Sequence, residues 1–354
     1  MRVAVTGATG NLGTSVLAAL RDEPAVDKIV GIARRRPSQV VGKVQWVSAD
    51  VATDDLAAAF AGADVVIHLA WLIQPSRDPQ KTWSANVLGS SRVFQAAADA
   101  GVPAIVYSSS VGAYSAGPKN QPVDESWPTD GVATSTYSRE KAYVERILDA
   151  FELRNPDIRV VRLRPGFVLK RSAASGIRRL FLGPFLPAPL LRPHFIPLVP
   201  RLPQLRFQAV HSLDVGHAFR LAALRADAQG AFNIAAQPPI GPDELAALFG
   251  ARTVPVPAGL LRKLAAFAWW ARLVPTEPGM VDLLLTVPLM DTSRARHELG
   301  WRPVHSAEDA LLELLEGMRQ GAGAATPPLH PGDGLAGRLS ELSTGVGAKD
   351  RPDR

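Results

Sequence analysis

A tyrosine and a lysine four residues apart, Tyr137 and Lys141, form a pair that can move protons. On a helix, a four-residue spacing places both side chains on one face, one turn apart. An ammonium beside a phenol favours the phenolate, so we expect Lys141 to lower the pKa of Tyr137 from ~10 towards neutrality. Hydride transfer at a carbonyl requires such a proton donor. The hydroxyl of Ser110, which follows an apolar run, can donate to the same substrate oxygen.

A glycine-rich turn between the first apolar run and the first helical pattern supplies the second chemical signal. Residues without a Cβ permit a tight bend and allow the backbone to approach a pyrophosphate. The free N–H groups and the dipole at a helix N terminus then favour that anion. We therefore expect a nicotinamide dinucleotide to contact this turn. It contains Gly7, Thr9, Gly10, Asn11, Leu12 and Gly13.

The end of the second apolar run indicates which dinucleotide binds. An acidic residue at this point contacts the ribose of NAD, but here the run ends in Ala33, with Arg34 and Arg35 next to it. Guanidinium groups pair with phosphate, so the sequence predicts NADP as the preferred cofactor and NAD as the alternative. A solvated basic loop would also explain these arginines.

Short apolar runs alternate with amphipathic helical patterns through the first half of the chain. This alternation predicts an α/β fold, a Rossmann-type doubly wound parallel sheet with helices on both faces. The predicted strands are 2–6, 28–33, 44–48, 64–70, 103–110, 158–164, 207–211 and 231–235. The predicted helices are 11–21, 53–60, 82–99, 136–153, 214–225, 242–249, 258–271 and 306–318.

A change of composition after the sixth run suggests a second structural unit. Prolines accumulate there among leucines, phenylalanines and arginines, which disfavours a regular helix or a central strand. We expect an NAD(P)-binding Rossmann domain from residues 1–170 and 207–235, and a small discontinuous substrate-binding lobe from 171–206 and 236–318. The last segment, 319–354, has few apolar residues and is predicted to be a disordered tail.

The composition excludes several classes of function. The 354 residues include no cysteine, which rules out disulfides, thiolate metal sites and a thiol nucleophile. We predict no metal, because Asp214 near His211 and His217 fits a helix cap. The net charge of +6 is scattered, which argues against nucleic acid and for an anionic cofactor or substrate. A strand opening at residue 2 leaves no room for a signal peptide, so a cytoplasmic protein without a membrane span is expected, with a homodimer as a possible assembly.

The order of these motifs resembles the extended short-chain dehydrogenase/reductase family, also called the NAD-dependent epimerase/dehydratase family, from residue 1 to about residue 318. The resemblance implies that Ser110, Tyr137 and Lys141 are catalytic and that Tyr137 and Lys141 also contact the cofactor. It implies further cofactor contacts in the segments that match the family's motifs. These are Asp50 and Val51, Leu69 and Ala70 after His68, Asn86, Ser108, and Pro165, Gly166 and Val168.

Two departures from the family pattern bear on the substrate. Tyr114-Ser115 stands where Tyr-Gly is frequent, and Leu169-Lys170-Arg171 replaces a frequent Tyr-Gly-Pro. The region 180–191 is also apolar where nucleotide-sugar enzymes supply polar contacts. We therefore expect hydride transfer between NADP(H) and a carbonyl or alcohol of a largely apolar small molecule.

Three alternatives remain open from the sequence. The first is a nucleotide-sugar epimerase or dehydratase, since nearby arginines could clamp a diphosphate. The second is a non-catalytic NADP-sensing regulator, which would have no use for a tuned phenol. The third is a membrane-associated protein that attaches through 177–206. The arginines in question are Arg178, Arg179, Arg192 and Arg201.

Overall fold

A seven-stranded parallel sheet forms the centre of the computed structural model, which describes residues 1–37, 42–74, 76–183 and 196–331. The strands are β1 (Arg2–Thr6), β2 (Lys28–Ala33), β3 (Val44–Ser48), β4 (Val65–His68), β5 (Ala104–Ser108), β6 (Pro122–Val123), β7 (Arg159–Pro165), β8 (Phe167–Leu169), β9 (Leu198–Arg201), β10 (Ala209–His211), β11 (Gly230–Ile234), β12 (Arg252–Pro255) and β13 (Leu289–Met290). The order across the large sheet is β3-β2-β1-β4-β5-β7-β11, and every pairing in it is parallel.

Helices cover both faces of this sheet. They are α1 (Asn11–Arg21), α2 (Ala57–Phe60), α3 (Pro79–Trp83), α4 (Gly89–Asp99), α5 (Thr136–Arg154), α6 (Ala174–Ile177), α7 (Ser212–Leu224), α8 (Pro242–Phe249), α9 (Ala258–Trp270), α10 (Gly279–Thr286), α11 (Ser293–Glu298) and α12 (Ala307–Gln320). A π-helical turn joins α3 to α4, so the helix predicted at 82–99 is continuous. The remaining strands pair two by two, as β8 with β10, β9 with β12 and β6 with β13.

The alternation of side chains along β1 divides the core into two layers. Val3 and Val5 pack with α1 and α7 on one face, where Phe219 is fully buried. Ala4 points to the other face, which α4 and α5 cover with residues such as Phe94. Parallel strands buried on both faces read as continuous apolar runs, which is why the sequence pattern identified them. The predicted doubly wound fold is confirmed.

The structure departs from the predicted elements in the second half of the chain. Residues 174–182 form a short α-helix followed by a π-helical turn, although the prolines nearby had argued against a helix there. These prolines begin only at residue 184, and 184–195 lie outside the described residues. Helices α10 and α11 had not been predicted. The boundaries of the proposed lobe stay a prediction.

The expectation of a disordered tail is wrong for its first part. Helix α12 extends to Gln320, and residues 321–331 pack against Thr9 and against residues 175–179. The hydroxyl of Thr326 donates to the carbonyl of Thr9 over 2.8 Å, and Leu329 is buried. A few apolar and hydrogen-bonding contacts therefore stabilise a segment whose composition suggested disorder. Residues 332–354 lie outside the described residues.

His68, at the end of β4, lies in the core. Its ring nitrogens contact the hydroxyls of Thr6 over 2.7 Å and Ser90 over 2.8 Å, and the side chain is fully buried. Burial, with a smaller effect from the charge of Lys141, lowers the pKa of His68 to about 3. This imidazole is therefore a neutral structural hydrogen-bonding group.

We expect His68 to make the fold sensitive to acid. Between pH ~6.5 and about 3 the unfolded chain binds a proton that the native His68 does not. The free energy of unfolding should therefore decrease as the pH is lowered across this window. His68→Gln should flatten that dependence, whereas His297→Gln at an exposed position should not. Denaturant unfolding of the three proteins at pH 4 to 7 measures this. Equal pH slopes for wild type and His68→Gln would contradict the assignment.

Candidate active site

One large cleft, with a volume of about 1570 Å³, runs along the carboxyl edge of the sheet. This edge is where doubly wound sheets bind ligands. Every site residue predicted from the sequence lines it. They are Gly7, Thr9, Gly10, Asn11, Leu12, Gly13, Arg34, Arg35, Asp50, Val51, Leu69, Ala70, Asn86, Ser108, Ser110, Tyr137, Lys141, Pro165, Gly166 and Val168.

The glycine-rich turn has no room for side chains at two of its positions. Gly7 has φ +67°, and a Cβ there would lie 2.7 Å from the backbone nitrogen of Ala70. A Cβ on Gly13 would lie 2.3 Å from the carbonyl oxygen of Gly7. The turn leads into α1, whose N terminus offers N–H groups to an anion, and the buried Oδ1 of Asn11 has no partner within the described ranges. These features fit the pyrophosphate of a dinucleotide.

Lys170, one of the departures from the family pattern, holds this turn in place. Its buried ammonium donates to the carbonyl of Asn11 over 2.7 Å, to the hydroxyl of Thr14 over 2.7 Å and to that of Ser15 over 3.0 Å. Burial lowers the pKa of Lys170 to about 8, and Glu313 offsets part of this effect. Lys170 therefore links the end of β8 to the start of α1.

The opposite end of the part of the cleft that is predicted to hold the cofactor lies where β2 and β3 end. Ala33, Arg34 and Arg35 line it from one side, and Asp50 and Val51 line it from the other. The Asp50 carboxylate accepts a hydrogen bond from the backbone N–H of Ala52 over 2.9 Å. This end thus combines two guanidinium groups with one carboxylate that already caps a turn.

Tyr137 and Ser110 meet at the middle of the cleft. Ser135 caps the N terminus of α5 and brings Tyr137 into the first helical turn, where its phenol lies close enough to the Ser110 side chain for that hydroxyl to influence its pKa. Gly112 allows the ring to approach, since a Cβ there would lie 2.8 Å from the ring atom Cε1. Desolvation raises the pKa of Tyr137, and the Ser110 hydroxyl offsets part of that rise.

Lys141 contacts different groups from those expected. Its ammonium donates to the carbonyl of Ser108 over 2.7 Å and lies 3.5 Å from the ring centre of Trp71. Burial lowers its pKa well below the ordinary value, although the charges of Glu145 and Glu140 oppose this. The expected lowering of the Tyr137 pKa by Lys141 is therefore not found in the described structure, because desolvation of the phenol dominates.

Trp71 is a site residue that the sequence reasoning missed. Its ring packs edge-on to Tyr137, with 6.0 Å between ring centres, as well as under the Lys141 ammonium. A cation over an indole in a desolvated site is stabilised by about 2 kcal/mol. The indole Nε1 is buried and has no hydrogen-bond partner among the described residues. Trp71 follows His68-Leu69-Ala70 directly, and that position was the available signal.

Asn86 orders the loop that carries Trp71. Its side-chain amide donates to the carbonyl of Leu72 and accepts from the N–H of the same residue, over 2.8 and 2.7 Å. The amide also donates to the buried carboxylate of Glu140 over 2.7 Å. Asn86 thus fastens the loop after β4 to helix α5 by way of Glu140.

Glu145 is a second residue that had not been predicted. It lies on the same face of α5 as Tyr137 and Lys141, eight and four residues further on, and this spacing was the signal. Its carboxylate accepts hydrogen bonds from the hydroxyl of Ser109 and from two arginines of β7. Ser109 is therefore structural, which leaves Ser110 as the serine that contacts Tyr137.

The walls next to Tyr137 are mainly apolar. Polar groups there include Gln74, Thr276 and Glu277, but Gln74 donates to the carbonyls of Leu180 and Pro275, and Glu277 accepts from Thr136. The apolar side chains that line this end are Leu72, Ile73, Ile177, Leu180, Phe181, Met280, Val281, Leu283 and Leu284. Within the described part of the chain, no cluster of three or more His, Cys, Asp or Glu side chains could hold a metal ion.

Arginines near this wall make structural contacts. Arg178 is buried and donates to the carbonyl of Gly183 over 2.9 Å. Arg179 donates to the carbonyls of Pro328 and His330 over 3.0 and 2.7 Å, which holds the C-terminal segment against the cleft. Arg201 is exposed and pairs with Asp243, while Arg192 lies outside the described residues.

Curated proteins that are similar in sequence to this chain include a protein of uncharacterized function and two named enzymes. "Uncharacterized protein Rv2047c" of Mycobacterium tuberculosis is 28% identical over 90% of this chain, but the chain spans only 30% of that relative's length. A "3 beta-hydroxysteroid dehydrogenase/Delta 5-->4-isomerase" of the same species is 26% identical over 89% of both chains. A "4-hydroxy-2-methyl-3-oxo-4-farnesyl-3,4-dihydroquinoline-1-oxide ketoreductase" of Stigmatella aurantiaca is 30% identical over 48% of this chain and 50% of its own.

Solved structures and a family model agree with the fold. UDP-glucose-4-epimerase from Stenotrophomonas maltophila, solved with NAD and formylated UDP-arabinopyranose, has a TM-score of 0.68 at 22% identity, covering 90% of this chain and 98% of that one. MoeE5 in complex with UDP-glucuronic acid and NAD has a TM-score of 0.66 at 20% identity, over 90% and 99%. The model of the "NAD dependent epimerase/dehydratase family" matches residues 3–179. This chain therefore belongs to the NAD-dependent epimerase/dehydratase family.

Proposed function

We propose that this protein is an NAD(P)-dependent oxidoreductase that transfers hydride between NADP(H) and a carbonyl or alcohol of a largely apolar small molecule. The observation that carries the proposal is the meeting of Ser110, Tyr137 and Lys141 beside an apolar wall, at the carboxyl edge of the sheet. The glycine-rich turn would hold the pyrophosphate, and Lys141 would contact the nicotinamide ribose. When bound, NADPH supplies the hydride.

The protein's own groups would manage the proton. Tyr137 would give the phenolic proton to the substrate oxygen, while the Ser110 hydroxyl donates a hydrogen bond to that same oxygen. A raised pKa keeps Tyr137 protonated at neutral pH, as a proton donor must be. Trp71 would hold the Lys141 ammonium in its charged form next to the phenolate that remains after proton transfer.

The substrate end of the cleft supports an apolar ligand. Burial of apolar surface there contributes roughly 25 cal/mol per Å², and such a wall offers little to a hydroxyl-rich sugar. Arg178 and Arg179 were candidates for binding a diphosphate, but both donate hydrogen bonds to backbone carbonyls of this chain. Two relatives, a steroid dehydrogenase and a ketoreductase for a farnesylated quinoline oxide, are named for substrates of this apolar kind.

A nucleotide-sugar epimerase or dehydratase is the second candidate. Solved neighbours bound to UDP-sugars and the family's own description favour it. A sensor without activity is less well supported, because Ser110 and Tyr137, which line the cleft beside each other, have no role in passive binding.

Replacing Tyr137 tests the proton donor. Tyr137→Phe should lower turnover by about 10²- to 10⁴-fold, the usual contribution of a positioned acid, and leave folding and cofactor affinity unchanged. Tyr143→Phe, at an exposed position on the same helix, is the matched control. Steady-state NADPH oxidation and fluorescence titration measure the two effects. Turnover of Tyr137→Phe within a factor of two of wild type would remove Tyr137 from the mechanism.

The arginines after β2 test the cofactor preference. Changing Arg34 and Arg35 together to Gln should weaken NADP binding by about tenfold or more and leave NAD binding nearly unchanged, since only NADP has a 2′-phosphate. Arg36→Gln, which alters an exposed neighbour that does not line the cleft, controls for general charge. Calorimetric titration with both cofactors gives the comparison. Equal losses for NADP and NAD would refute this role.

Titration with UDP separates the two substrate classes. The apolar wall and the engaged arginines lead us to expect no detectable binding of UDP to the NADP-loaded protein. The control is NADP itself, which must bind in the same buffer. Micromolar UDP binding that competes with substrate would replace the oxidoreductase proposal with the epimerase or dehydratase candidate.

A further inference from the structure

Helix α9 exposes an apolar stripe that the described part of the chain leaves open to solvent. The five residues of this stripe are 44% to 74% exposed, and no residue of α9 is buried. Spacing of three and four residues places them on one side of the helix. The opposite side, represented by Leu261, packs against Leu202 and Leu205. We call this stripe the docking face, and it consists of Leu260, Leu264, Phe267, Trp270 and, just beyond the helix, Leu273.

The two sequence segments that contain and precede the docking face are basic, although Asp282 of the neighbouring helix α10 also contacts α9. Residues 251–276 include four basic and no acidic side chains, and residues 171–213 include six basic and no acidic ones. The positive charge of these two segments together exceeds the net charge of +6 of the whole chain, so the rest of the chain has a net negative charge. Lys263 of α9, Arg252 of β12 and Arg272 after the helix are all exposed. Arg262 differs, because it pairs with Asp282 of α10.

The exposed apolar residues and the basic residues beside them together indicate which kind of surface covers the docking face. A second copy of the chain that covered the docking face through a twofold axis would bring the same basic side chains, including Lys263 and Arg272, into the interface from both copies and so create like-charge repulsion. An anionic lipid surface satisfies both features, because acyl chains accept Leu, Phe and Trp and headgroups attract Lys and Arg. Tryptophan, here Trp270, is the residue type enriched at membrane interfaces.

We propose that the docking face binds the surface of an anionic lipid bilayer, with α9 lying parallel to it. Phe267 and Trp270 would enter the boundary between headgroups and acyl chains, and Lys263, Arg252 and Arg272 would contact phosphate groups. The attachment is peripheral. None of the helices in the described ranges has the length and hydropathy that a membrane-spanning segment requires.

The C-terminal end of α9 joins the docking face to the cleft. The indole of Trp269 donates to the hydroxyl of Ser76 over 3.2 Å, and that hydroxyl donates to the carbonyl of Pro275 over 2.7 Å. The next residue, Thr276, lines the cleft beside its apolar wall. A bilayer at the docking face would therefore border the substrate entrance. This consequence for substrate delivery rests on the proposed function, whereas the docking itself does not.

Vesicle sedimentation without substrate or cofactor tests the docking. Wild-type protein should bind vesicles of equal parts phosphatidylglycerol and phosphatidylcholine, and should bind pure phosphatidylcholine at least about tenfold more weakly, with high salt abolishing the difference. Phe267→Ser/Trp270→Ser should reduce the partition coefficient by about tenfold or more. Lys263→Gln/Arg272→Gln should remove the preference for the anionic lipid. Leu153→Ser/Val304→Ser, at two other highly exposed apolar positions, should bind as wild type does.

Three outcomes would overturn the docking proposal. The first is wild-type protein that stays unbound to both vesicles, and the second is a folded Phe267→Ser/Trp270→Ser variant that binds as wild type does. The third is a dimer in analytical ultracentrifugation that this variant abolishes while vesicles bind nothing, which would assign the face to a second copy. A failure here leaves NADPH oxidation by the protein unaffected, so it is distinguishable from a failure of the proposed function.

Discussion

The buried carboxylate of Glu145 is the interaction on which the geometry of the site depends. Both oxygens accept hydrogen bonds from guanidinium groups, with Arg164 at 2.9 and 3.1 Å and Arg162 at 3.0 Å. Burial alone would favour the neutral acid, but the charges of these arginines and the hydroxyl of Ser109 lower the pKa of Glu145 to about 2. Removing one partner from such a buried pair typically costs about 3–5 kcal/mol. Helix α5 is thereby fixed to β5 and β7.

This fixed helix explains how three side chains from distant parts of the sequence reach one point. Glu145, Lys141 and Tyr137 follow one another at four-residue intervals, so anchoring the first sets the height and rotation of the other two. Ser110 comes from the end of β5, whose neighbour Ser109 is bound to the same carboxylate. On the other side of the cleft, Lys170 holds the glycine-rich turn and the start of α1 in place. Chemistry at the junction therefore follows from one rigid frame.

The sequence predicted those features that depend on local pattern. The seven strands of the large sheet, the turn at Gly7 to Gly13 and the one-face spacing of Tyr137 and Lys141 are local patterns, and the structure has them where the sequence predicts them along the chain. What it could not predict depends on contacts between distant residues. Trp71 under Lys141, and residues 321–331 held by Arg179, combine segments whose proximity only the fold creates. The expected lowering of the Tyr137 pKa was wrong for the same reason, because the desolvation that raises this pKa is a property of the packed site.

If the protein transfers hydride from NADPH to an apolar carbonyl, an isotope on the cofactor must appear in the alcohol product. The protein would be incubated with NADPH carrying deuterium at both C4 positions of the nicotinamide and with a panel of apolar cyclic ketones, and the products analysed by mass spectrometry. We expect an alcohol that contains one deuterium for each NADP⁺ formed. Epimerisation of a UDP-sugar without net cofactor consumption, and no deuterated alcohol from any ketone, would contradict it.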